Sequence, residues 1–168
     1  MSTAKLDRID INILAHLQEH GRITNIELAE AVNLSASPCL VRVKRLEKEG
    51  FLTSYNARID VSKLVETRTV FTEVTLERQQ QSDFARFEKK IAAVDEVIEC
   101  HLISGGYDYL LKFVTTGVSH YQRVVEEILM GDYGVSKYFS YIVIKSPVEK
   151  AYVPIKNLIS ADKFKSVT

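Results

Sequence analysis

The pattern of apolar and polar positions changes once along the chain, from helical spacing to alternation. Residues 6–17 carry an apolar side chain every three or four positions, which predicts a first helix that ends near Gly21. Thr24 and Glu27 have the spacing of a capping box, in which each side chain satisfies a free backbone amide of the other. We therefore expect a short second helix directly after Thr24.

A third helix is predicted after a turn of three residues, 33–35. Ser35 is placed to cap this helix, Pro38 lies in its first turn, where the missing amide costs nothing, and Gly50 ends it. Two helices joined by so short a turn follow the helix-turn-helix plan of DNA-binding domains.

Winding the third helix at about 100° per residue separates a buried face from an outer face. The predicted buried stripe contains Cys39, Val43 and Leu46, with Ala36 and Leu40 beside it. The predicted outer face contains Ser37, Val41, Lys44, Arg45 and Lys48, with Pro38 and Arg42 on its flank.

The outer face concentrates positive charge in a chain that has no net charge. The sequence contains 22 Lys and Arg against 22 Asp and Glu, yet only Glu47 opposes the four cations between positions 42 and 48. A solvated charged face is one interpretation. Because a helix-turn-helix precedes it, we favour a DNA-reading face, on which Val41 meets a thymine methyl and Arg42 or Arg45 contacts guanine or phosphate.

The second half of the chain predicts the order βαββαβ. Alternation at residues 70–76 indicates a strand, Ser82 is placed to cap a helix, and residues 118–130 form a second amphipathic helix. The remaining strands are predicted at 97–104, 108–114 and 135–145. This order indicates an α+β, ferredoxin-like sheet with both helices on one face.

We accordingly divide the chain into two predicted domains. Residues 1–60 form a winged helix-turn-helix, in which 51–60 is a short hairpin or an extended linker strand, and residues 61–168 form the ferredoxin-like domain. After Pro147 the periodicity is lost, so we expect an extension that frays or docks on a partner.

A sheet covered by helices on one face leaves its other face bare, and such an apolar surface usually has a partner. We expect a symmetric dimer through this face, which also suits a reader of DNA half-sites. The candidate surface residues are Phe71, Tyr109, Phe113, Phe139 and Tyr141.

The stretch SGGYDY, Ser104 to Tyr109, has two interpretations. Paired glycines are typical of a hairpin turn, because they adopt positive φ at little cost. They also leave successive backbone amides uncovered, and such amides bind a carboxylate while Asp108 binds an ammonium. These two groups together are the two ends of an α-amino acid.

The remaining composition argues against several other classes of protein. Cys39 and Cys100 match no metal or redox spacing, and we expect two reduced, buried thiols. No apolar run reaches the roughly 18–20 residues of a membrane span, and MSTAKLDRID lacks the apolar core of a signal peptide, so we expect a cytoplasmic protein. The four histidines, His16, His20, His101 and His120, have no nucleophile or metal spacing, which disfavours an enzyme.

The chain resembles the Lrp/AsnC family of feast/famine transcriptional regulators, most of all its leucine-responsive branch. The resemblance runs from residue 6 to about residue 145. It is carried by LDRID (6–10), GRITNIELA (21–29), LSASPCLVRVKRLEKEGF (34–51), ECHLISG (99–105) and DYLLK (108–112).

The resemblance implies an N-terminal DNA-binding domain and a C-terminal effector-binding (RAM-type) domain, without a metal or other cofactor. It implies dimers that assemble further, commonly to octamers, with an amino-acid effector between dimers and control of amino-acid metabolism genes. The implied DNA contacts are Ser37, Pro38, Val41, Arg42, Lys44 and Arg45. The implied effector residues are Ser104, Gly105, Gly106, Tyr107, Asp108, Tyr109 and Tyr141.

The loop departs from the leucine-responsive branch at two positions. That branch has an acidic residue where Gly106 stands and often Phe where Tyr107 stands, so this loop lacks a charge and gains a hydroxyl. The effector is therefore expected to be leucine or another apolar amino acid. An architectural DNA-compacting protein that needs no small ligand is the alternative function.

Overall fold

A computed structural model of the chain describes residues 6–165, with side chains described up to residue 160. The described elements are α1 (Arg8–Glu19), α2 (Asn25–Ala31), α3 (Ala36–Lys48), β1 (Arg68–Leu76), α4 (Gln81–Ile91), β2 (Val97–Leu102), β3 (Tyr109–Thr115), α5 (Val118–Met130), β4 (Val135–Ile142) and α6 (Ile155–Lys165). They form two compact units, one up to Arg58 and again from Val148, the other Ile59–Pro147.

Local capping explains where the first three helices begin. Thr24 and Glu27 form the predicted capping box at the start of α2. A second capping box starts α1, where Asp7 and Asp10 exchange hydrogen bonds between side chain and backbone. Ser35 is the N-cap of α3 as predicted, although its side chain makes no capping hydrogen bond.

The ends of α2 and α3 each depend on a residue in the left-handed region. Asn33 in the turn has φ 56°, a conformation that Asn tolerates better than most residues. Gly50 follows α3 with φ 77°, where a side chain would be strained. The amides of Gly50 and Phe51 donate to the carbonyls of Glu47 and Leu46, which is the Schellman pattern of helix termination.

The core of the first unit packs the inner face of α3 against α1 and α2. Its buried residues are Ile13, Leu17, Leu28, Ala29, Val32, Cys39 and Leu46. Val43 packs against this cluster as predicted, but Ala36 and Leu40 are exposed. The predicted buried stripe was therefore too wide, because α1 and α2 cover only the part of α3 that faces them.

The linker after α3 differs from the prediction. Within the described part of the chain, residues 51–60 contain no strand and no hairpin, and a short 3-10 helix, Val61–Lys63, follows them. A lone extended segment has no neighbour to which it can bond its backbone, so weak alternation did not suffice to make a strand.

The chain beyond Pro147 belongs to the first unit rather than to the predicted second domain of 61–168. The side-chain amide of Gln18 in α1 donates to the carbonyl of Val153 and accepts from its N–H. Arg58 and Glu149 form an ion pair at 3.0 Å. The segment therefore docks on its own chain. The outer bounds of the two predicted domains, residues 1 and 168, lie outside the described residues.

The second unit has the predicted βαββαβ order. Its four strands are antiparallel in the order β2-β3-β1-β4, and α4 and α5 pack on one face of the sheet. Helix α4 begins at Gln81 with Gln80 as its N-cap, two residues before the predicted cap at Ser82.

Strand parity separates the helix-covered face of the sheet from an open face. Tyr109 and Phe113 lie in the helix-covered core, so their predicted place on the open face was wrong. Phe71 pairs with Tyr141, and both lie on the opposite face, as does Phe139. The open face is thus formed by the alternate residues of β1 and β3 that point away from the helices. The residues of β2 and β4 that pair with them complete it.

The environments of the two cysteines differ. Cys39 is buried as predicted, whereas Cys100 is exposed on β2, which corrects that prediction. Among residues 6–165, no helix is both long and apolar enough to cross a membrane.

Phe87 lies at the centre of the second core, fully buried, with its ring centroid 4.6 Å from that of Tyr109. We expect Phe87→Ala to lower the free energy of unfolding of this unit by about 3–5 kcal/mol, because it removes a large buried ring and leaves a cavity. Urea denaturation measures the loss. Met130→Ala, at an exposed position, is the control. A loss below about 1 kcal/mol for Phe87→Ala would contradict the packing described here.

Candidate DNA-binding surface and effector loop

The outer face of α3 presents small and apolar side chains together with lysines. Ser37, Pro38, Val41 and Lys44 are all exposed, and Val41 is 65% exposed. A branched apolar side chain this exposed, beside a lysine, is not stabilised by packing in the core of its own unit. The major groove of DNA is wide enough to admit a helix. If α3 entered it, the methyl groups of Val41 would be free to contact the edge of a base.

Arg42 and Arg45 do not extend freely from this face, because both are bound to carboxylates at the start of α1. The Nη1 atom of Arg42 lies 2.7 Å from Oδ2 of Asp7 and 2.8 Å from Oδ1 of Asp10. The Nη2 atom of Arg45 lies 2.5 Å from Oδ2 of Asp10. The structure thus separates the six predicted DNA contacts into four that are open and two that are occupied.

Asp10 connects the two helices. Its side chain is 1% exposed, and each carboxylate oxygen accepts from a different guanidinium. A buried carboxylate is costly unless it is paired, and two charged donors meet that requirement here. The two ion pairs therefore connect α3 to the start of α1, beside the apolar contacts of the core.

Asp7 has two roles that use different oxygens. Its Oδ1 accepts from the backbone N–H of Asp10 and caps α1, while its Oδ2 accepts from Arg42. The Asp10 N–H, and after it the Arg42 guanidinium, lower the pKa of the Asp7 carboxyl. Asp7 and then Asp10 raise the pKa of Arg42.

Sequence reasoning assigned no role to Asp7 and Asp10. One signal was present, since two acidic residues three apart at the start of an apolar-periodic helix have capping-box spacing. Their pairing with residues 42 and 45 had no local signal, because the partners are more than thirty positions away in sequence.

The predicted effector loop joins β2 to β3. The N–H of Ile103 donates to the carbonyl of Asp108 and closes the loop at 2.8 Å, and Ser104, Gly105 and Gly106 are exposed. The loop is a hairpin connection between two antiparallel strands, as in the hairpin-turn interpretation, but neither glycine lies in the left-handed region. A Cβ at either glycine would meet nothing within 4 Å. A side chain at position 106 is therefore sterically acceptable.

Asp108 is buried and already satisfied, so it does not offer a free carboxylate to an ammonium. Its Oδ2 accepts from the backbone N–H of Leu76 at 2.7 Å, and its Oδ1 accepts from the side chain of Gln79 at 2.8 Å. The carboxylate holds the end of β1 against the loop. Gln79, which supports this arrangement, had no role in the sequence prediction.

Tyr109 is also withdrawn from the loop surface. It is buried in the core, and its hydroxyl donates to Oε1 of Glu88 in α4 at 2.8 Å. Burial and then the Glu88 carboxylate raise its pKa. Both Asp108 and Tyr109 thus stabilise the base of the loop.

Tyr141 lies on the open side of the sheet, near enough to the phenol of Tyr107 for the two to interact electrostatically. Tyr141 is exposed on β4, and partial desolvation, then the Glu73 carboxylate and last the proximity of Tyr107, raise its pKa. Glu73 was not predicted from sequence, although an acidic residue on the open-face parity of β1 was visible. The exposed loop, two phenols and Glu73 form the candidate effector-binding surface.

Metal binding has no support in the described residues, since no group of three or more His, Cys, Asp or Glu side chains there is placed to hold an ion. Partial desolvation and then the nearby Glu88 carboxylate raise the pKa of Cys100, so this thiol is not activated.

Two protein-family models match the chain, one in each half. Residues 6–53 match the model of a winged helix-turn-helix DNA-binding domain, and residues 69–153 match that of the Lrp/AsnC ligand-binding domain. The chain belongs to the Lrp/AsnC family. It is therefore a transcriptional regulator with a DNA-binding domain and a ligand-binding domain, and not an enzyme.

Individual members of the Lrp/AsnC family match most of the chain. The transcriptional regulatory protein DoeX of Halomonas elongata is 46% identical over 142 residues, which cover 84% of this chain and 90% of that protein. The leucine-responsive regulatory protein of Escherichia coli is 41% identical over 151 residues, 90% of this chain and 92% of that protein. A transcriptional regulator of Neisseria meningitidis, crystallised with L-Met, is 34% identical with a TM-score of 0.85, covering 92% of this chain and 99% of that one.

Asp10→Asn tests the connection between α1 and α3. We expect the variant to lower the free energy of unfolding by about 3 kcal/mol, because two guanidinium groups lose a charged acceptor. Thermal or urea denaturation followed by circular dichroism measures the effect. Glu30→Gln, at an exposed position of α2, removes the same charge and is the control. A difference of less than about 0.5 kcal/mol between Asp10→Asn and wild type would contradict the structural role.

Proposed function

We propose that this chain is a sequence-specific transcriptional regulator whose assembly and DNA binding respond to a small apolar amino acid. It would act in the cytoplasm on genes of amino-acid metabolism. The observation that carries the DNA-binding part is the exposed Val41 among Ser37, Pro38 and Lys44 on the outer face of α3. Short side chains allow close approach to base edges, and lysine supplies a phosphate contact.

A second copy of the chain is the proposed partner on the open face of the sheet. Phe71, Phe139 and Tyr141 contribute apolar and aromatic area there. Glu99 and Lys112, paired at 2.9 Å, and His101 beside Glu99 supply polar groups of both signs. A self-complementary face of this kind suits a twofold dimer, which places two recognition helices on two half-sites. Further assembly, to an octamer, would bring effector loops of different dimers together.

The effector is proposed to bind at the exposed loop beside Tyr107, Tyr141 and Glu73. The uncovered amides of Gly105 and Gly106 suit a carboxylate, and Glu73, rather than the occupied Asp108, suits an ammonium. The regulator of Neisseria meningitidis that matches this chain was crystallised with L-Met, so methionine is the first amino acid to test. Binding between dimers would favour one assembly state and so change DNA binding.

Selection of duplexes from a random pool tests the DNA-binding part, and fluorescence anisotropy on the selected duplex and on a scrambled one measures specificity. We expect Val41→Ser to weaken binding to the selected duplex about tenfold and leave the scrambled duplex unaffected, because it removes a base contact. Lys44→Gln should weaken both and reduce the slope of log K against log salt by about 0.9 per helix engaged. Val148→Ser, an exposed substitution outside α3, is the control.

If no duplex is enriched and binding depends only on salt, the proposal of sequence-specific regulation is wrong. That outcome favours the architectural role.

Light scattering combined with calorimetry tests the effector part. We expect L-methionine to bind the purified protein and to change the mass of its assemblies, and Tyr141→Ala to weaken binding at least about tenfold, because a stacking and hydrogen-bonding side chain is lost. Gly106→Asp meets no steric obstacle and introduces the acidic residue that the leucine-responsive branch has at this position. It should therefore raise the affinity for L-leucine relative to L-methionine. Met130→Ala is the control. A mass and a heat of mixing indifferent to all twenty amino acids would overturn this part.

A further inference from the structure

The outer face of α3 is flanked by two arginines that the structure has already assigned to partners within the same unit. We propose that Asp7 and Asp10 determine DNA specificity by holding Arg42 and Arg45 out of the major groove. Base reading is thereby left to Ser37, Pro38 and Val41, and phosphate contact on this helix to Lys44 and Lys48. The inference rests on the proposed DNA-binding function and deepens it.

The first support is the completeness of the pairing at Asp10. Each of its oxygens accepts one guanidinium, at 2.8 Å from Arg42 and 2.5 Å from Arg45, and the side chain is almost wholly removed from water. Removing either arginine would leave a buried carboxylate short of a charged partner. The free-energy cost of leaving this carboxylate unpaired is comparable to the free energy gained from one good base contact. Release of either arginine to contact a base is therefore not favoured.

The second support is the second contact of Arg42. Its Nη1 is shared between Asp10 and Asp7, and Asp7 is itself fixed by its capping bond to the Asp10 N–H. Arg42 therefore has two carboxylate partners on a rigid helix start. Its side chain is 27% exposed, against 43% for Arg45, although Arg42 stands one position from the exposed Val41.

The third support is the charge that remains on the outer face. With the two arginines neutralised by the two aspartates, the free cations of the helix are Lys44 and Lys48, for which the described residues show no ion pair. Lysine is a compact point charge that grips phosphate without matching a base edge, whereas an arginine fork reads guanine. Restraining the arginines thus removes guanine reading from this helix.

Asp7→Asn is the most informative variant, because it separates the two roles of Asp7. Asparagine is as good an N-cap as aspartate, so the bond to the Asp10 N–H is kept while the charged acceptor of Arg42 is lost. We expect binding to the selected and the scrambled duplex to tighten about three- to tenfold, the salt slope to rise by about 0.9 per helix engaged, and the ratio between duplexes to fall. Glu19→Gln removes the same charge at the exposed far end of α1 and should change neither slope nor ratio.

Arg42→Gln is the complementary variant, compared with Lys44→Gln by the same anisotropy titrations after circular dichroism has established that both are folded. We expect Arg42→Gln to melt at a lower temperature but to keep the wild-type salt slope and the wild-type ratio between duplexes. A slope that falls as it does in Lys44→Gln would overturn the inference, since Arg42 would then leave the carboxylates to contact DNA. An unchanged slope and ratio in Asp7→Asn would overturn it as well. A wild-type protein that enriches no duplex would instead overturn the proposed function itself.

Discussion

The first unit depends on the paired carboxylate of Asp10. A charge removed from water must be matched by charged donors, and Asp10 obtains two of them from α3, which packs at the start of α1. The apolar contacts of Ile13, Cys39 and Leu46 hold the helices together but are less directional. The ion pairs of Arg42 and Arg45 add directional contacts beside this apolar stripe, while Val41 and Lys44 lie on the opposite, exposed side of α3.

In the second unit, the sheet has one face covered by helices and one face open. Alternation along β1 and β3 sends Val70, Leu111 and Phe113 into the helix-covered core and the intervening residues to the open side. The buried Tyr121 hydroxyl bonds Thr72 at 2.7 Å and also Ser140, which satisfies the polar groups between sheet and helix. Asp108 and Tyr109 stabilise the base of the loop, while Ser104, Gly105 and Gly106 remain exposed.

Most of the fold followed from the sequence, because it rests on local rules. Helical spacing, the Thr24–Glu27 capping box and the alternation of residues 70–76 each involve neighbours within a few positions, and all three were confirmed. The linker at 51–60 and the segment after Pro147 were not predicted correctly. A strand needs a neighbour, and a docking segment needs a surface, and the sequence shows neither. Tyr109 and Phe113 were misplaced for the same reason, since parity alone does not tell which face the helices cover.

The residues of the candidate site also divide into those that the sequence predicts and those that only the tertiary structure identifies. The sequence by itself determined the helix-turn-helix, the small and cationic residues on one side of α3, the βαββαβ order and the glycine-containing loop, because spacing along one element fixes which side chains share a face. Only the tertiary structure decided that Arg42 and Arg45 are bound to Asp7 and Asp10, that Asp108 is occupied by Leu76 and Gln79, and that Glu73 lies with Tyr107 and Tyr141. A charged side chain takes the nearest partner in space, and that partner is set by how distant segments pack.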